Sequence, residues 1–481
     1  MNDELRPYPE YKESDLLWLG AVPKHWDVRR NGRLFAQRNE TGFGSLPILE
    51  VSLKTGVRVR DMENMKRKQV MNDREKYKRA AKGDIAYNMM RMWQGALGAA
   101  PVDGLVSPAY VVARPYPGTE TRYFSYLFRT AAYMAEVDGY SRGIVKDRNR
   151  LYWQDFKQMP SCYPPPDEQT AIADYLDANA VLVRKFIRNR RRLIDVLNEQ
   201  KQAIINEAVT RGLYQSGRYK PSGNAWLGEI PQTWESSRLK NVAELHVSNV
   251  DKHTKTGELP VRLCNYTDVY KNSVITADMP FMTATATPDE LRAFHVEVGD
   301  VIITKDSEDW QDIGVPALVA ETADDLVCGY HLAILRPRPN VMTGRFLAYV
   351  MLCNGVSTQL SLAANGVTRY GLSHSTIKAI YLPVAPFEEQ EPLADRIDEE
   401  TATINRAISR INREIDLIHE YRTRLIADVV TGKLNVRNLA PPQVSLELDE
   451  LANFDAEEAF DDELDGVEDD DLAEGALDAD D

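Results

Sequence analysis

Cysteine is scarce: the chain has four among 481 residues, Cys162, Cys264, Cys328 and Cys353, and no two stand at CxxC spacing. That excludes a disulfide framework and a zinc knuckle. The seven histidines are scattered, without metal-ligand spacing. No run of eighteen apolar residues occurs, so no membrane span is expected. The opening Met1-Asn2-Asp3-Glu4 is polar and acidic, unlike a signal peptide, so a cytoplasmic protein is expected. Phosphate-binding and cofactor turns are lacking as well. There is no GxxxxGK[ST], and Gly95-Ala96-Leu97-Gly98 is a poor match to a dinucleotide or adenosyl-methionine loop. No Asn-Pro-Pro-Tyr-type stretch occurs, and a tripeptide such as Asp155-Phe156-Lys157 arises by chance. No catalytic residue, metal or cofactor is therefore assigned to this chain.

Positive charge is lacking at one end only. From Glu447 to Asp481 there are 18 Asp and Glu and no Lys or Arg. Without that stretch, 58 basic residues face 55 acidic ones, so the net charge of −15 conceals a nearly neutral body. Residues 443–481 are too charged and too poor in aromatics to build a core, and their composition predicts disorder.

What the chain does have is a repeat. Tyr11-Lys12-Glu13-Ser14 leads into Trp18-Leu19-Gly20-Ala21-Val22-Pro23 and Trp26; 208 residues later, Tyr219-Lys220-Pro221-Ser222 leads into Trp226-Leu227-Gly228-Glu229-Ile230-Pro231 and Trp234. Gly83-Asp84-Ile85 answers to Gly299-Asp300-Val301, Trp93-Gln94 to Trp310-Gln311, and Arg114-Pro115 to Arg336-Pro337. Pro165-Pro166-Asp167-Glu168-Gln169 answers to Pro386-Phe387-Glu388-Glu389-Gln390, and Ala208-Val209-Thr210 to Val429-Val430-Thr431. The offset grows from 208 to 221, so the second copy carries 13 extra residues.

Each copy opens with a mixed segment, 1–165 and 213–386. Short apolar runs such as Asp84-Ile85-Ala86-Tyr87 and Asp300-Val301-Ile302-Ile303 read as strands punctuated by Gly and Pro. Segments near Tyr123–Glu136 and Gly344–Cys353 read as helices. A long helix follows in each copy, 166–212 and 387–434. Pro166 suits a first helical position, with Asp167 and Glu168 in the favourable first turn. The second helix carries Ile404, Ile408, Ile411, Ile415, Ile418, Leu425 and Val429 at 4-3-4-3 spacing, with Arg422 interrupting. The first carries Val183, Ile187, Ile194, Leu197, Ile204 and Ala208, with Arg190 and Lys201 interrupting. Rods of roughly 63 Å are rarely stable alone, so the two are expected to pair antiparallel, relating the copies by a pseudo-two-fold axis. A homodimer seam is the alternative. The fold class is α+β: two duplicated globular domains separated by two long coiled-coil helices.

The doubled YKxS…WLGxxPxxW opening, the doubled Pro-rich Glu-Gln helix start and the doubled Val-Thr helix end resemble the specificity subunit of Type I restriction–modification systems, over residues 8 to 438. The resemblance implies two target-recognition domains, each reading half of a split site on double-stranded DNA. It also implies spacer helices that dock methyltransferase subunits, two in number, and assembly with restriction/translocase subunits. S-adenosyl-methionine, ATP and Mg would belong to those partners. The acidic stretch lies outside the family pattern, and its charge suits competition with DNA phosphates.

The candidate DNA contacts lie where the copies diverge: Arg91, Gln94, Lys146, Arg148 and Arg150 in the first, and Lys305, Ser307, Gln311, Arg369 and Tyr370 in the second. Gln94 and Gln311 offer an amide that suits adenine, and Arg148 and Arg369 suit guanine or phosphate. Unlike loops on a common frame point to an asymmetric bipartite target with half-sites roughly one DNA turn apart. Each signal has a plainer reading beside it. Trp93 equally suits packing under a turn, and the 146–150 run suits an ordinary solvated face. The Arg188, Arg190, Arg191 and Arg192 cluster suits surface or partner contact. A scaffold that touches no DNA is the competing function.

Overall fold

A computed structural model describes residues 5–53, 55–60, 73–143, 149–212, 218–367 and 369–439. Two compact units emerge, one from 1–190 with 413–481, the other from 191–412. Each therefore joins one globular module to the start of one long helix and the end of the other.

In unit 1 a four-stranded antiparallel sheet runs in the order Phe35–Arg38, Tyr110–Pro115, Ile85–Asn88, Leu97–Ala99. In unit 2 the order is Ala243–Val247, Leu332–Pro337, Val301–Thr304, Pro316–Val319, with Val274–Ile275 added in parallel at the edge. A two-stranded pair repeats as well: Asp27–Arg30 with Pro160–Tyr163, and Glu235–Arg238 with Tyr381–Val384. Alternation explains why the central strands are apolar throughout. Val301 and Ile303 face one core beside Phe346 and Leu347, while Ile302 faces a second with Ile275 and Val319. Likewise Ile85 and Tyr87 face the main core of unit 1, and Ala86 a smaller one.

The repeated Gly-Asp turn has a mechanical reason. Gly83 and Gly299 adopt φ of +85° and +91°, which favours glycine. The following aspartates are buried. Asp84 pairs with Arg38 at 2.6 Å and Asp300 with Arg336 at 2.7 Å, tying the first turn to the strand two away and the second to the adjacent strand. The expected helix near Tyr123–Glu136 is two helices, Thr121–Phe128 and Ala131–Tyr140. Thr130 divides them, because its Oγ1 accepts from the Tyr133 N–H and caps the second. In unit 2 the corresponding pair is Gly344–Met351 and Asn354–Ala363.

The long helices span Pro166–Arg211 and Phe387–Val430, the second containing Pro392. In unit 1, Ile172, Tyr175 and Leu176 of the first share a core with Leu425, Val429 and Val430 of the second. In unit 2, Ile205, Ala208 and Val209 share a core with Leu393 and Ile397. Opening turns thus meet closing turns, and the helices run antiparallel in each unit. Val183, Ile187, Ile404, Ile411 and Leu425 are buried; Ile194, Leu197, Ile204, Ile408, Ile415 and Ile418 are half-buried. Arg190 is accommodated on the seam by Glu414 at 3.1 Å and by the Phe186 ring beneath its guanidinium.

All four cysteines are free and buried, and among the described residues no group of His, Cys, Asp and Glu could hold a metal ion. No single described helix is long and apolar enough to cross a membrane.

The duplicated motifs converge on two buried tryptophans. Trp26 donates through Nε1 to Glu168 at 3.1 Å, and Trp234 to Glu389 at 3.2 Å. The next residue of each motif is a fully buried glutamine. Gln169 accepts from the Glu120 N–H and donates to the Pro164 carbonyl; Gln390 accepts from the Thr343 N–H and donates to the Val341 and Ala385 carbonyls. The helix ends come to the same place. Gly432 and Gly212 leave their helices at φ of +78° and +77°. A Cβ on Gly432 would lie 2.3 Å from Pro23 Cδ, and one on Gly212 3.2 Å from the Trp234 ring. Both alanine substitutions are therefore destabilising, by about 1 kcal/mol or more for the backbone conformation alone. Gly432→Ala should cost clearly more than Gly212→Ala in urea denaturation, because its neighbour is a rigid proline ring; equal costs would contradict this packing.

Candidate nucleic-acid interface

In unit 1 the strand Ile85–Asn88 runs into a short 3-10 turn, Met92–Gln94, closed by Gly95 at φ +95°. Met92 is buried and Trp93 donates through Nε1 to the Met90 carbonyl at 2.9 Å, so Trp93 packs under the turn. Gln94 is exposed and Arg91 half-buried. A second segment lies alongside: the Leu151 N–H donates to the Met89 carbonyl at 2.9 Å, just after Arg150 pairs with Arg142. Arg91, Gln94 and Arg150 are thus carried on two joined loops. Lys146 and Arg148 lie outside the described residues.

Unit 2 repeats the joint. Its Leu372 N–H donates to the Lys305 carbonyl at 3.0 Å, and the short pair Asp306–Ser307 with Tyr370–Gly371 extends the contact. Gln311 and Arg369 are exposed and Tyr370 is half-buried. Lys305 and Ser307 point elsewhere. Lys305 Nζ pairs with Asp306 at 2.8 Å, and that carboxylate also meets His331 Nδ1 at 2.8 Å. Ser307 is buried and its Oγ accepts from the Asp309 N–H. Burial acts to raise the Asp306 pKa, but the bonds to His331 and Lys305 win and hold it below the usual aspartate value.

Beside these loops stands an aromatic ledge that the repeat does not reveal. Tyr266 and Tyr270 stack with centroids 5.4 Å apart and planes 15° apart. The Tyr270 hydroxyl bonds the Asp312 carboxylate, which with burial pushes its pKa up to about 12. Burial pushes the Tyr266 pKa up, and the nearby Arg369 charge acts against it. Trp310, the counterpart of the packed Trp93, is exposed.

No family model matches the chain. Its sequence is 22% identical over 457 residues to the putative type I restriction enzyme MjaX specificity subunit of Methanocaldococcus jannaschii, covering 89% of this chain and 98% of that one. It is 21% identical over 296 residues to the MjaVIII specificity subunit of the same organism, covering 59% of this chain and 64% of that subunit, just under two thirds of its length. The chain is related to the specificity subunits of Type I restriction enzymes. A solved structure described as the basis of complex assembly and conformational transition of the type I R-M system has the same fold: TM-score 0.58, 14% identity, covering 85% of this chain and 98% of that one.

The two modules differ in charge as well as in loops. Residues 1–165 hold 27 Lys and Arg against 19 Asp and Glu, a net +8; residues 213–386 hold 15 against 18, a net −3. In unit 2 a carboxylate organises the loop. Asp306→Asn should cost roughly 1–3 kcal/mol of stability, as for a buried bond to a charged group. Because the folded-state pKa is lowered, that contribution is complete above the ordinary aspartate value near 4 and is lost as pH falls through the folded one. The stability difference between the two proteins should shrink as pH falls below about 4. A difference that grew below that pH would contradict the assigned pairing.

Proposed function

We propose that this chain is the DNA-reading subunit of a Type I restriction–modification complex, that it is not itself an enzyme, and that it reads an asymmetric bipartite site. The observation that carries this reading is the pair of joined loops, built on one frame at Met89–Leu151 and Lys305–Leu372 and furnished with unlike side chains. A shared frame with divergent loops is what reading two different half-sites requires.

The exposed amides of Gln94 and Gln311 suit adenine, and Arg91, Arg150 and Arg369 suit guanine or phosphate, with Tyr370 beside them. Lys305 and Ser307 act from behind as positioning residues. Tyr266 and Tyr270 add a stacked surface against sugar or base. The first module, residues 1–165 at +8, supplies most of the phosphate attraction and so most of the salt dependence. The relatives' description as specificity subunits supports partners that do the chemistry: two methyltransferase subunits on the long helices, and restriction/translocase subunits, which would carry S-adenosyl-methionine, ATP and Mg.

Replacing residues 40–150 by the matching segment of another specificity subunit should change one half-site only, read by genome-wide mapping of adenine methylation. Both half-sites moving together would sink the modular reading, and methylation unaffected by loss of this chain would favour the scaffold. Ile408→Asp and Ile194→Asp place a charge in the seam. Each should abolish co-purification with methyltransferase subunits, and retained binding would show that the seam is not the dock.

A further inference from the structure

The repeat keeps a third feature besides the buried tryptophans and the loop joints. In unit 1 the Asn31 N–H donates to the Met159 carbonyl and the Gly32 N–H to the Lys157 carbonyl, both at 2.9 Å, which closes a corner between Asp27–Arg30 and the turn before Pro160–Tyr163. In unit 2 the Leu239 N–H donates to the Ile380 carbonyl at 2.9 Å and closes the same corner beside Glu235–Arg238 and Tyr381–Val384. Cations collect at both. Arg30, Arg33 and Lys157 stand at the first corner, and Arg238, Lys240 and Lys378 at the second. The repeat offsets of 208 and 221 match Arg30 with Arg238 and Lys157 with Lys378. The third cation has moved by one position: Arg33 matches Asn241, and Lys240 matches Gly32.

Among the described residues, no carboxylate pairs with any of the six. Arg30 donates to the Gln158 amide oxygen at 2.8 Å and Arg238 to the Tyr381 hydroxyl at 3.2 Å, so each guanidinium is held by a neutral acceptor and keeps its charge. The carboxylates nearest in sequence are engaged or distant. Asp155 pairs with Arg142 and Asp27 with Arg29, while Glu235 stands at the far end of its strand from Arg238. Five of the six cations are exposed, and Lys157 is half-buried. In unit 2 this runs against the trend of the module, whose residues 213–386 total −3.

Each corner has a fixed place relative to its loop joint. Lys157 follows Leu151 by six residues and Lys378 follows Leu372 by six, and a short helix, Trp153–Phe156 or His374–Ala379, spans each interval. Six helical residues advance about 9 Å. One DNA strand advances about 3.4 Å per nucleotide, so that interval matches the rise of roughly two to three nucleotides. A lysine at a helix end also offsets the helix dipole. That role does not call for Arg30, Arg238 or a third cation.

We propose that these duplicated corners grip the DNA phosphates that flank each half-site. The proposal rests on the DNA reading above and deepens it: the divergent loops read bases, and the shared corners set the register in which they do so. Contacts from guanidinium and ammonium groups to phosphate oxygens carry no sequence information and release counterions. They belong on the part of the frame that the two copies share.

The test uses the complex that co-purifies with the full-length chain and a DNA duplex of mixed sequence. Arg30→Ala/Lys157→Ala and Arg238→Ala/Lys378→Ala each remove two phosphate contacts. Each double variant should lower the slope of log affinity against log salt by about 1.8 and weaken binding roughly tenfold or more at about 150 mM NaCl. The adenine-methylation motif, mapped genome-wide, should stay the same, and the charge-keeping Arg30→Lys/Lys157→Arg should restore the slope. An unchanged slope, with duplex still bound, overturns the corners and leaves the loop reading standing. A changed motif overturns them too, since these residues would then read bases. So does loss of methyltransferase subunits at undiminished duplex affinity, which assigns the corners to a protein partner. Failure of the unaltered complex to hold duplex at all sinks the DNA reading, and this proposal with it.

Discussion

Each unit is organised around a tryptophan that must be dry and must still place its indole N–H. Trp26 is fully buried, and its donor finds Glu168, itself 5% exposed. A carboxylate so buried is costly unless its oxygens are occupied. They are: the Tyr8 hydroxyl donates at 2.6 Å, His25 sits at 2.8 Å, and Arg437 lies 3.7 Å away. The start of the first long helix is thereby fixed to the module. Gly432, at the end of the second, is backed against the same indole, and the Tyr123 hydroxyl takes up the Val430 carbonyl left open at that helix end. In unit 2, Trp234 binds the start of the second helix and meets the end of the first. Helices of 46 and 44 residues would be marginal alone; here their ends are dictated by side chains far away in sequence.

Rotation about those anchor points is restrained by a clamp. Arg122 and Tyr126 leave one face of a short helix for Asp174 and Asp177, three residues apart and so neighbours on the long helix. Arg345 and Tyr349 do the same with Asp395 and Asp398. Anchor and clamp together explain why the repeat survives in these residues while intervening positions drift.

The legible parts of this fold are those where geometry restricts the residue. A left-handed turn favours glycine, so Gly83 and Gly299 are visible; a packed seam asks for aliphatics at 4-3 spacing, so Ile404 and Ile411 are visible. The loops obey no such rule. Ser307 and Gln311 lie four residues apart, yet one is buried and the other exposed, because Ser307 is opposite Tyr370 in a two-residue pairing. Nothing local in either segment announces that pairing. Trp93-Gln94 and Trp310-Gln311 match in sequence, but the first indole packs and the second faces solvent. Tyr266 and Tyr270 are not legible from the repeat because they fall in a stretch without a clear counterpart in the first copy. Their i, i+4 spacing behind Asn265, which caps the helix with Asp268, is the signal available.

The acidic loop of unit 2 poses the remaining difficulty, since Asp306, Asp309 and Asp312 stand where a polyanion is expected. Each has an internal task. Asp306 bridges Lys305 and His331, Asp309 accepts from the Gln311 N–H, and Asp312 holds the Tyr270 hydroxyl. Carboxylates so engaged shape the loop, and the groups left at the surface are an amide, a guanidinium, aromatic rings and the exposed Glu308. On the proposed DNA reading, such a surface would suit base edges better than phosphate. The first module, residues 1–165, has the opposite balance, with a net charge of +8 and its exposed Gln94 beside the half-buried Arg91. On the proposed DNA reading, one module would contribute attraction and the other discrimination, a division that two copies of one frame can reach by altering loops alone.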